Sequence, residues 1–289
     1  MRGVVVGVEG APGPTLVVRA EALPTGAGSE VAEAREALVG TAYEGIGKIA
    51  LYERAGATLR YRFVQALPDG GFDFRAGCGH SLLACVVAEG RGGPVEVRAV
   101  TTGDVVRCEP EGDEGDEGHA YTLSFLRPPG GPGTLPTGRA VDVLDGVPVS
   151  IVRYGNPYVF VDAGRVPAED DALRRRLLGL RAEAARVLGY AQGSALPKIA
   201  VFADGGADGP AVRALTVGGW HPRLAVTGAA AFAAAGAIGG TVVPAVDGEV
   251  RTPGGTVTVS AGRDRVRVHH KRAEVLERLE LPWRVHATA

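Results

Sequence analysis

The amino-acid sequence predicts an α+β protein of two similar halves, each with many β-strands around one small Gly- and Ala-rich helix. Short segments with β-branched enrichment or alternating polarity recur through both halves. One compact apolar helix is predicted in each half, at 79–89 and at 228–237. A Pro- and Gly-rich connector at 128–136 separates the halves, and we predict domains at 1–145 and 146–289. This duplicated plan predicts a pseudo-twofold axis with a ligand-binding cleft between the halves.

The predicted elements alternate strands with a few helices in each half. In the first half, strands are predicted at 4–6, 15–18, 48–52, 59–64, 95–100, 104–108 and 120–125, with helices at 31–39 and 79–89. In the second half, strands are predicted at 147–152, 158–162, 198–202, 212–217, 240–243, 256–260 and 265–269, with helices at 168–188 and 228–237. The duplication is one of architecture, because no strong repeat of residues accompanies it.

Two segments have patterns that invite other interpretations. Leu224–Val243 contains no charged residue over about 20 positions, the length of a membrane-spanning helix. Its Ala, Gly and Thr content instead predicts a weakly apolar helix followed by a strand. His269–Arg272 is basic and is predicted to be an exposed turn rather than a pair of metal ligands.

Composition excludes several classes of function. The 289 residues carry 31 basic and 33 acidic side chains, a net charge of -2, so we expect neither a nucleic acid nor a membrane as partner. The three cysteines, Cys78, Cys85 and Cys108, are too few for a disulfide framework and fit a reducing cytoplasm. The apolar run at 4–6 is too short for a signal peptide.

No sequence pattern indicates a cofactor or a metal. The GxGxxG, GxxxxGK[ST] and HExxH patterns are absent, and the six histidines have no zinc-site spacing. The acidic segment Glu109–Gly118 separates its carboxylates with flexible glycines, which is typical of a solvated loop rather than a calcium loop. We therefore expect no cofactor and no metal.

The segment Gly77-Cys78-Gly79-His80-Ser81 is the most informative motif, because an apolar helix follows it directly. A helix N-terminus favours a thiolate, and its backbone N–H groups can hold a substrate carboxylate. His80 could orient substrate, shuttle a proton or cap the helix. The pattern also fits a buried cysteine at an ordinary strand-to-helix turn. Cys85 and Cys108 are predicted to be core residues.

Further candidates lie at the starts of other elements. Lys48 follows a Gly-rich turn and begins a strand, so it could point into a cleft, although a surface lysine fits the same pattern. In the second half, Asn156 precedes a strand, and His221 precedes Thr227-Gly228 at the start of the second short helix. Thr227 is predicted to cap that helix, and Gly228 would let a ligand approach its N–H groups, as a counterpart of the Cys78 turn.

Taken in order, these segments resemble the 2-methylaconitate cis–trans isomerase (PrpF-like) family, which has the diaminopimelate epimerase fold. The resemblance is carried by Gly47–Ala50, Gly77–His80, Leu135–Gly138, Asn156–Val161, Pro197–Ala200 and His221 with Thr227–Ala229, closing on Gly240–Val243. It implies a fold of two pseudo-twofold-related halves, each a β-sheet or barrel around a central helix. It also implies that Lys48 and Cys78 are catalytic. The implied substrate-binding residues are Gly79, His80, Ser81, Asn156, His221, Thr227, Gly228 and Ala229.

The chain departs from the family pattern in ways that bear on its substrate. The family's N-terminal substrate-site loop is reduced here to Met1-Arg2-Gly3, and Arg139 replaces the connector's asparagine. Thr227–Ala230 stands where epimerases of this fold have a second cysteine. These departures argue against a tricarboxylate substrate and against a two-thiol racemase. The length resembles a short subgroup from the biosynthesis of alkylproline units in lincosamide and pyrrolobenzodiazepine antibiotics.

The sequence therefore predicts a cofactor-independent isomerase that shifts a carbon–carbon double bond by 1,3-proton transfer in a small unsaturated carboxylate. A substituted pyrroline carboxylate is the substrate that the short subgroup implies. Two alternatives stay open: a non-catalytic relative that binds a carboxylate or supports a partner enzyme, and a racemase or epimerase. The expected partner is a small molecule, and the expected assembly is a homodimer, which the sequence does not fix.

Overall fold

The computed structural model describes residues 2–20, 23, 31–32, 35–36, 38–67, 70–90, 92–112, 120–191, 193–216 and 219–280. The chain divides into two compact units, Met1–Leu123 with Lys271–Ala289, and Ser124–His270. This division falls earlier than position 145, where the sequence predicts it. The connector belongs with the second unit, because the Thr134 carbonyl accepts a hydrogen bond from the Arg153 amide at 2.8 Å.

Within the described residues, the first unit consists of strands and the helix α1 (Gly79–Glu89). The strands are β1 (Arg2–Val8), β2 (Thr15–Arg19), β3 (Lys48–Ala55), β4 (Thr58–Ala66), β5 (Phe72–Asp73), β6 (Val95–Ala99), β7 (Val105–Glu111) and β8 (Ala120–Phe125), joined by part of β17 (Val266–Glu280). Helix α1 is Gly79–Glu89, as the sequence predicts. Residues 31–32 and 35–36 are helical, and the remainder of the helix predicted at 31–39 lies partly outside the described residues.

The strands of the first unit form a barrel. Their order is β8-β17-β1-β2-β3-β4-β6-β7, with parallel pairs β2/β3 and β4/β6 and the short β5 beside β4. The Thr122 hydroxyl on β8 donates to the Glu111 carboxylate on β7 at 2.6 Å, so the two ends of the row meet. Eight strands therefore close on themselves.

Helix α1 is the core of this barrel. Its residues Gly79–Val86 are all buried, and it packs against β1, β2, β3, β4 and β6. A helix that is apolar on every side is stable only when it is surrounded, which is why this sequence forms a central rather than a surface helix. Its end is set by Gly90, which adopts φ 70° and lets its amide bond back to the last turn.

The second unit repeats this arrangement. Its strands are β9 (Asp142–Leu144), β10 (Val147–Tyr154), β11 (Asn156–Asp162), β12 (Lys198–Ala203), β13 (Ala211–Thr216), β14 (Gly219–Trp220), β15 (Gly248–Thr252), β16 (Gly255–Ala261) and the first part of β17. Its helices are α2 (Asp170–Val187) and α3 (Val226–Gly236), with short 3-10 turns at Ala163–Arg165 and Gly206–Asp208. Helix α2 packs its Leu173, Leu177 and Leu180 on the sheet, and α3 is buried throughout Val226–Ala235.

Because the first barrel is closed, its order can be written from β17 as β17-β1-β2-β3-β4-β6-β7-β8, and the order β9-β10-β11-β12-β13-β15-β16-β17 of the second unit then matches it strand for strand. The parallel pairs β11/β12 and β13/β15 correspond to β2/β3 and β4/β6, and the two-residue β14 corresponds to β5. Each unit therefore has the same connectivity around one buried helix, as the duplicated plan predicts.

The match extends to a short repeat of residues that sequence reading misses. Lys48-Ile49-Ala50 begins β3, and Lys198-Ile199-Ala200 begins β12. The registers agree, because Ile49 lies opposite Leu16 in β2 and Ile199 lies opposite Val159 in β11. This register makes Thr15 the counterpart of Tyr158, both beside the first turn of their central helix.

Two predicted segments differ from the structure. The strand predicted at Gly240–Val243 is wrong: these residues form turns, because the Val242 amide donates to the Ser150 hydroxyl at 2.9 Å instead of a neighbouring strand. The exposed turn predicted at His269–Arg272 is also wrong. These residues lie inside β17, where Lys271 is buried and His269 Nε2 is 2.8 Å from the Ser260 hydroxyl.

None of the helices that the structure describes is both long and apolar enough to cross a membrane. The segment Leu224–Val243 contains α3, which has only 11 residues. The predicted short helix in this segment is thus observed.

Candidate active site

Cys78 is the N-cap residue of α1, as its motif predicts. Its backbone is extended (φ -140°, ψ 110°), and its side chain makes no capping hydrogen bond. The thiol is half-buried and is not part of a disulfide, whereas Cys85 and Cys108 are fully buried. Burial raises the pKa values of the Cys85 and Cys108 thiols, so these two are core groups, as predicted. Cys78 is therefore the cysteine whose thiol lies at a helix N-terminus with access to solvent.

The Tyr61 hydroxyl holds the backbone of Cys78. It accepts a hydrogen bond from the Cys78 amide at 3.2 Å and donates one to the Cys78 carbonyl at 2.9 Å. Tyr61 is buried in β4, and its pKa is raised well above the ordinary value by desolvation and by the charge of Cys78. Sequence reasoning misses this residue, because in the sequence Tyr61 is simply another large residue in a strand of alternating polarity.

Lys48 begins β3 and is buried, which the sequence left open against a surface position. Its Nζ donates to the Gly13 carbonyl at 2.6 Å. Burial lowers the pKa of Lys48, and the negative charge of Cys78 acts in the opposite direction. The two side chains thus lie within electrostatic reach of each other, and the lowered pKa increases the neutral, proton-accepting fraction of the amine.

The first turn of α1 completes the group of candidate residues in the first unit. Gly79, His80 and Ser81 are all buried there. The Ser81 hydroxyl is 3.0 Å from the Thr15 hydroxyl of β2, and this contact fixes the helix start against the strand. No acidic side chain lies in this turn, so no carboxylate of the turn itself competes for its N–H groups. The first unit therefore brings together Lys48, Cys78, Gly79, His80 and Ser81.

The predicted residues of the second unit meet at the start of α3. Asn156, the first residue of β11, has its Nδ2 3.5 Å from the Thr227 hydroxyl, and both residues are buried. A Cβ atom at Gly228 would lie 2.8 Å from the Tyr158 hydroxyl oxygen, so glycine here admits a tyrosine ring to the helix start. Ala229 is buried in the same turn.

The predicted cap of α3 is displaced by two residues. The N-cap is Ala225, which has no side-chain acceptor, and Thr227 lies inside the first turn. Thr227 does not cap the helix, because the helix already begins at Val226. Ala225 is therefore the positional counterpart of Cys78, and the second unit has a methyl group where the first has a thiol.

His221 lies apart from the start of α3 in the chain and has its own contacts. Its backbone amide donates to the Ala214 carbonyl at 2.8 Å, and its Nδ1 accepts from the Arg223 amide at 3.2 Å. The side chain is buried and lines a cavity of the second unit. Within the described ranges, no group of three or more His, Cys, Asp or Glu residues is arranged to hold a metal ion.

Solved structures define the fold. The chain is similar to a methylitaconate-delta-isomerase, with a TM-score of 0.66 and 19% identity over 96% of this chain and 95% of that chain. It is also similar to a phenazine biosynthesis protein of the PhzF family from Enterococcus faecalis, with a TM-score of 0.51 and 15% identity over 96% and 97%. A PhzF-family protein from Bacillus anthracis gives a TM-score of 0.52 and 13% identity over 96% and 98%. The fold is thus diaminopimelate epimerase-like, as predicted.

The family follows from the sequence itself. The model of the family described as "PrpF protein" matches residues 114–281, which is more than half of the chain. No curated protein matches. The chain belongs to the PrpF family, as its motifs predict, and these matches support membership of a family of small-molecule isomerases.

Proposed function

We propose that this protein is a cofactor-independent isomerase that shifts a carbon–carbon double bond in a small unsaturated carboxylate. One observation carries the proposal: a thiol at the N-terminus of the buried helix α1 lies within electrostatic reach of a buried lysine whose pKa is lowered. Thiol and amine are both competent general bases when their protonation is tuned in this way. The methylitaconate-delta-isomerase that shares the fold supports a double-bond shift as the reaction type.

In the proposed reaction, the first turn of α1 binds the substrate carboxylate. The N–H groups of Gly79 and His80 lie at the positive end of the helix dipole, and no acidic residue in that turn competes for them. The same donors stabilise the negative charge that develops when the substrate loses a proton, which is a large contribution in a site shielded from water. Asn156, His221, Thr227, Gly228 and Ala229 are proposed to bind substrate as well.

Proton transfer is assigned to Lys48 and Cys78. One of them removes an allylic proton, the electron pair of the broken C–H bond forms a dienolate, and a proton returns at the far end of the allyl system. The double bond moves by one position, and the reaction is balanced without any change in oxidation state. Neutral Lys48 is favoured by its burial.

The substrate we propose is a substituted pyrroline carboxylate of antibiotic biosynthesis. The support is the resemblance to the short subgroup. The position of Ala225 disfavours the two-thiol racemase alternative, because the second helix has no thiol at its N-cap. A non-catalytic carboxylate-binding protein is the competing outcome of the test.

The test is proton NMR in D₂O with alkyl-substituted pyrroline carboxylates and aconitate analogues. We expect deuterium to enter an allylic position, and we expect Cys78→Ser and Lys48→Ala to slow this exchange by about 10²–10⁴-fold. Cys85→Ala, on the same helix but in the core, is the matched control and should retain the wild-type rate.

Three results decide the proposal. Exchange that survives in both Cys78→Ser and Lys48→Ala refutes the assigned residues. Exchange lost in only one of them identifies the base. Binding of a panel member by the folded protein without any exchange supports the non-catalytic alternative.

A further inference from the structure

The second unit contains a cavity whose lining includes neither Lys48 nor Cys78. It has a volume of about 860 Å³ and lies between the start of α2, the ends of β12 and β15 and the β13–β14 hairpin. Its size falls within the range of small-molecule sites, which is about 300–1,000 Å³. Among the described residues that line this cavity, His221 is the only one that the sequence predicts to bind substrate.

The walls of the cavity are mainly apolar. Val166, Leu173, Val201 and Trp220 line it, together with several alanines and prolines. Leu173 belongs to the hydrophobic cluster between α2 and the sheet, and Trp220 packs against that cluster. Such walls can bury an alkyl chain or an aromatic ring.

The charged lining residues are both arginines. Arg213 and Arg251 line the cavity, and among its described lining residues there is no aspartate or glutamate. Strand register makes the Arg213 and Arg251 side chains leave the sheet on one face: Ala211 lies opposite Arg251, and Arg213 is two residues further along β13. Val201, opposite Arg213, packs under α2, so this face is the one that α2 covers.

Arg213 is held in place by its neighbours. Its guanidinium lies 4.0 Å from the centre of the Trp220 ring and 2.7 Å from the Asp170 carboxylate, which also accepts from Trp220 Nε1 at 3.3 Å. A guanidinium has five N–H donors, so a single carboxylate leaves others to meet an anion. Stacking on the ring lowers the entropy that this side chain would lose on binding.

We propose that this cavity binds a small amphipathic carboxylate, with its apolar part against Trp220 and Leu173 and its carboxylate on Arg213 and Arg251. Planar guanidinium groups match carboxylates with paired hydrogen bonds, and the apolar walls select against small hydrophilic anions. The site is separate in its residues from Lys48 and Cys78, so the proposal does not depend on the proposed reaction.

The experiment compares octanoate with octanol, which has the same chain without the charge. Binding is followed by Trp220 fluorescence in a Trp283→Phe background, since these are the two tryptophans of the chain. We expect octanoate to bind at least about tenfold more tightly than octanol, because hydrogen bonds to charged groups are the stronger ones. Combined Arg213→Gln and Arg251→Gln substitution should abolish that preference. Arg175→Gln, at an exposed position of α2 away from the cavity, should retain it.

Further variants separate the outcomes. Arg213→Lys keeps the charge but loses the planar fork, and should weaken octanoate binding without unfolding the unit. Octanoate is saturated and cannot undergo the double-bond shift, so Cys78→Ser should leave its binding unchanged. Equal binding of octanoate and octanol, no binding of either, or loss of binding in Cys78→Ser would each overturn the proposal.

Discussion

A single buried hydroxyl group, that of Tyr61, contacts both peptide groups of Cys78. The orientation of the thiol depends on this peptide, because the N-cap residue has no side-chain bond of its own to fix it. Tyr61 is therefore a positioning residue for the proposed reaction, acting through the backbone rather than on the substrate.

Tyr61→Phe tests this role. It removes both hydrogen bonds, so we expect the free energy of unfolding to fall by about 1–3 kcal/mol. If Cys78 is displaced, the deuterium exchange rate should fall by about tenfold to a hundredfold. Urea denaturation and NMR exchange measure the two effects.

The matched control is Tyr52→Phe. The Tyr52 hydroxyl donates to Glu89 at 2.8 Å, at the other end of α1, so its loss should also lower stability. The exchange rate should remain near wild type in this variant. Equal rate losses in the two variants would mean that Tyr61 acts only through stability.

Much of the candidate site could be predicted at the level of single residues, but its supports could not. Cys78 and Lys48 are conspicuous because glycines surround them and a buried element follows. Tyr61 and Thr15 contact the start of α1 from β4 and β2, so only the barrel makes them neighbours of Cys78 and Ser81. Sequence patterns carry local information, and these contacts join positions far apart in the chain.

Helix α3 begins in a crowded environment that glycine alone accommodates. A Cβ atom at Gly228 would lie 2.8 Å from the Tyr158 hydroxyl oxygen and 3.0 Å from Leu224 Cδ1. In the first unit, the equivalent contact pairs two small residues, Thr15 and Ser81. The start of α3 thus combines a glycine on the helix with a large tyrosine on the strand, whereas the start of α1 combines two side chains of similar, small size.

Gly228→Ala should destabilise the protein by about 1–3 kcal/mol, because the added methyl group overpacks the start of α3. Gly179→Ala is the matched control: Gly179 is an exposed residue within α2, and a Cβ atom there meets nothing within 4 Å. Alanine should stabilise that helix by about 0.5–1 kcal/mol. Thermal and urea unfolding measure both effects. A change in the free energy of unfolding of the same sign in the two variants would contradict this account.

Helices and strands could be predicted where an apolar sequence pattern reflects burial. They could not be predicted where only pairing with a distant strand stabilises the element. The strands at 48–52 and 198–202 are mainly apolar and lie in buried parallel pairs, and α1 and α3 are mainly apolar. Strand β17 is missed beyond residue 269 because its second part alternates mostly charged side chains with few apolar ones. Its structure comes from pairing with β1, which no local pattern reports.

At the scale of the whole molecule, one strand belongs to both units. Val268 of β17 lies opposite Val259 of β16 in the second unit, whereas Val275 lies opposite Val6 of β1 in the first. The first unit therefore takes one of its eight barrel strands from the segment after His270.

Deletion of the segment after His270 should selectively loosen the first unit. Strand β1 would lose its partner on one side, and the barrel would open at that edge. Hydrogen exchange measured by mass spectrometry should show lost protection in β1 and β2, while β10–β12 retain theirs. Equal loss in both sets would mean that the units do not unfold separately. The control is Leu276→Ser, at an exposed position of the same strand. This variant keeps the strand and should retain protection in β1 and β2.

The shared strand also bears on synthesis of the chain. Ribosomes release a polypeptide from its N-terminus, so residues 2–123 emerge while the strand that pairs with β1 has not yet been made. The first barrel therefore has an open edge until the second part of β17 has been synthesised. The edge of β1 that pairs with β17 stays unpaired until then, and an unpaired strand edge is a site for aggregation or chaperone binding.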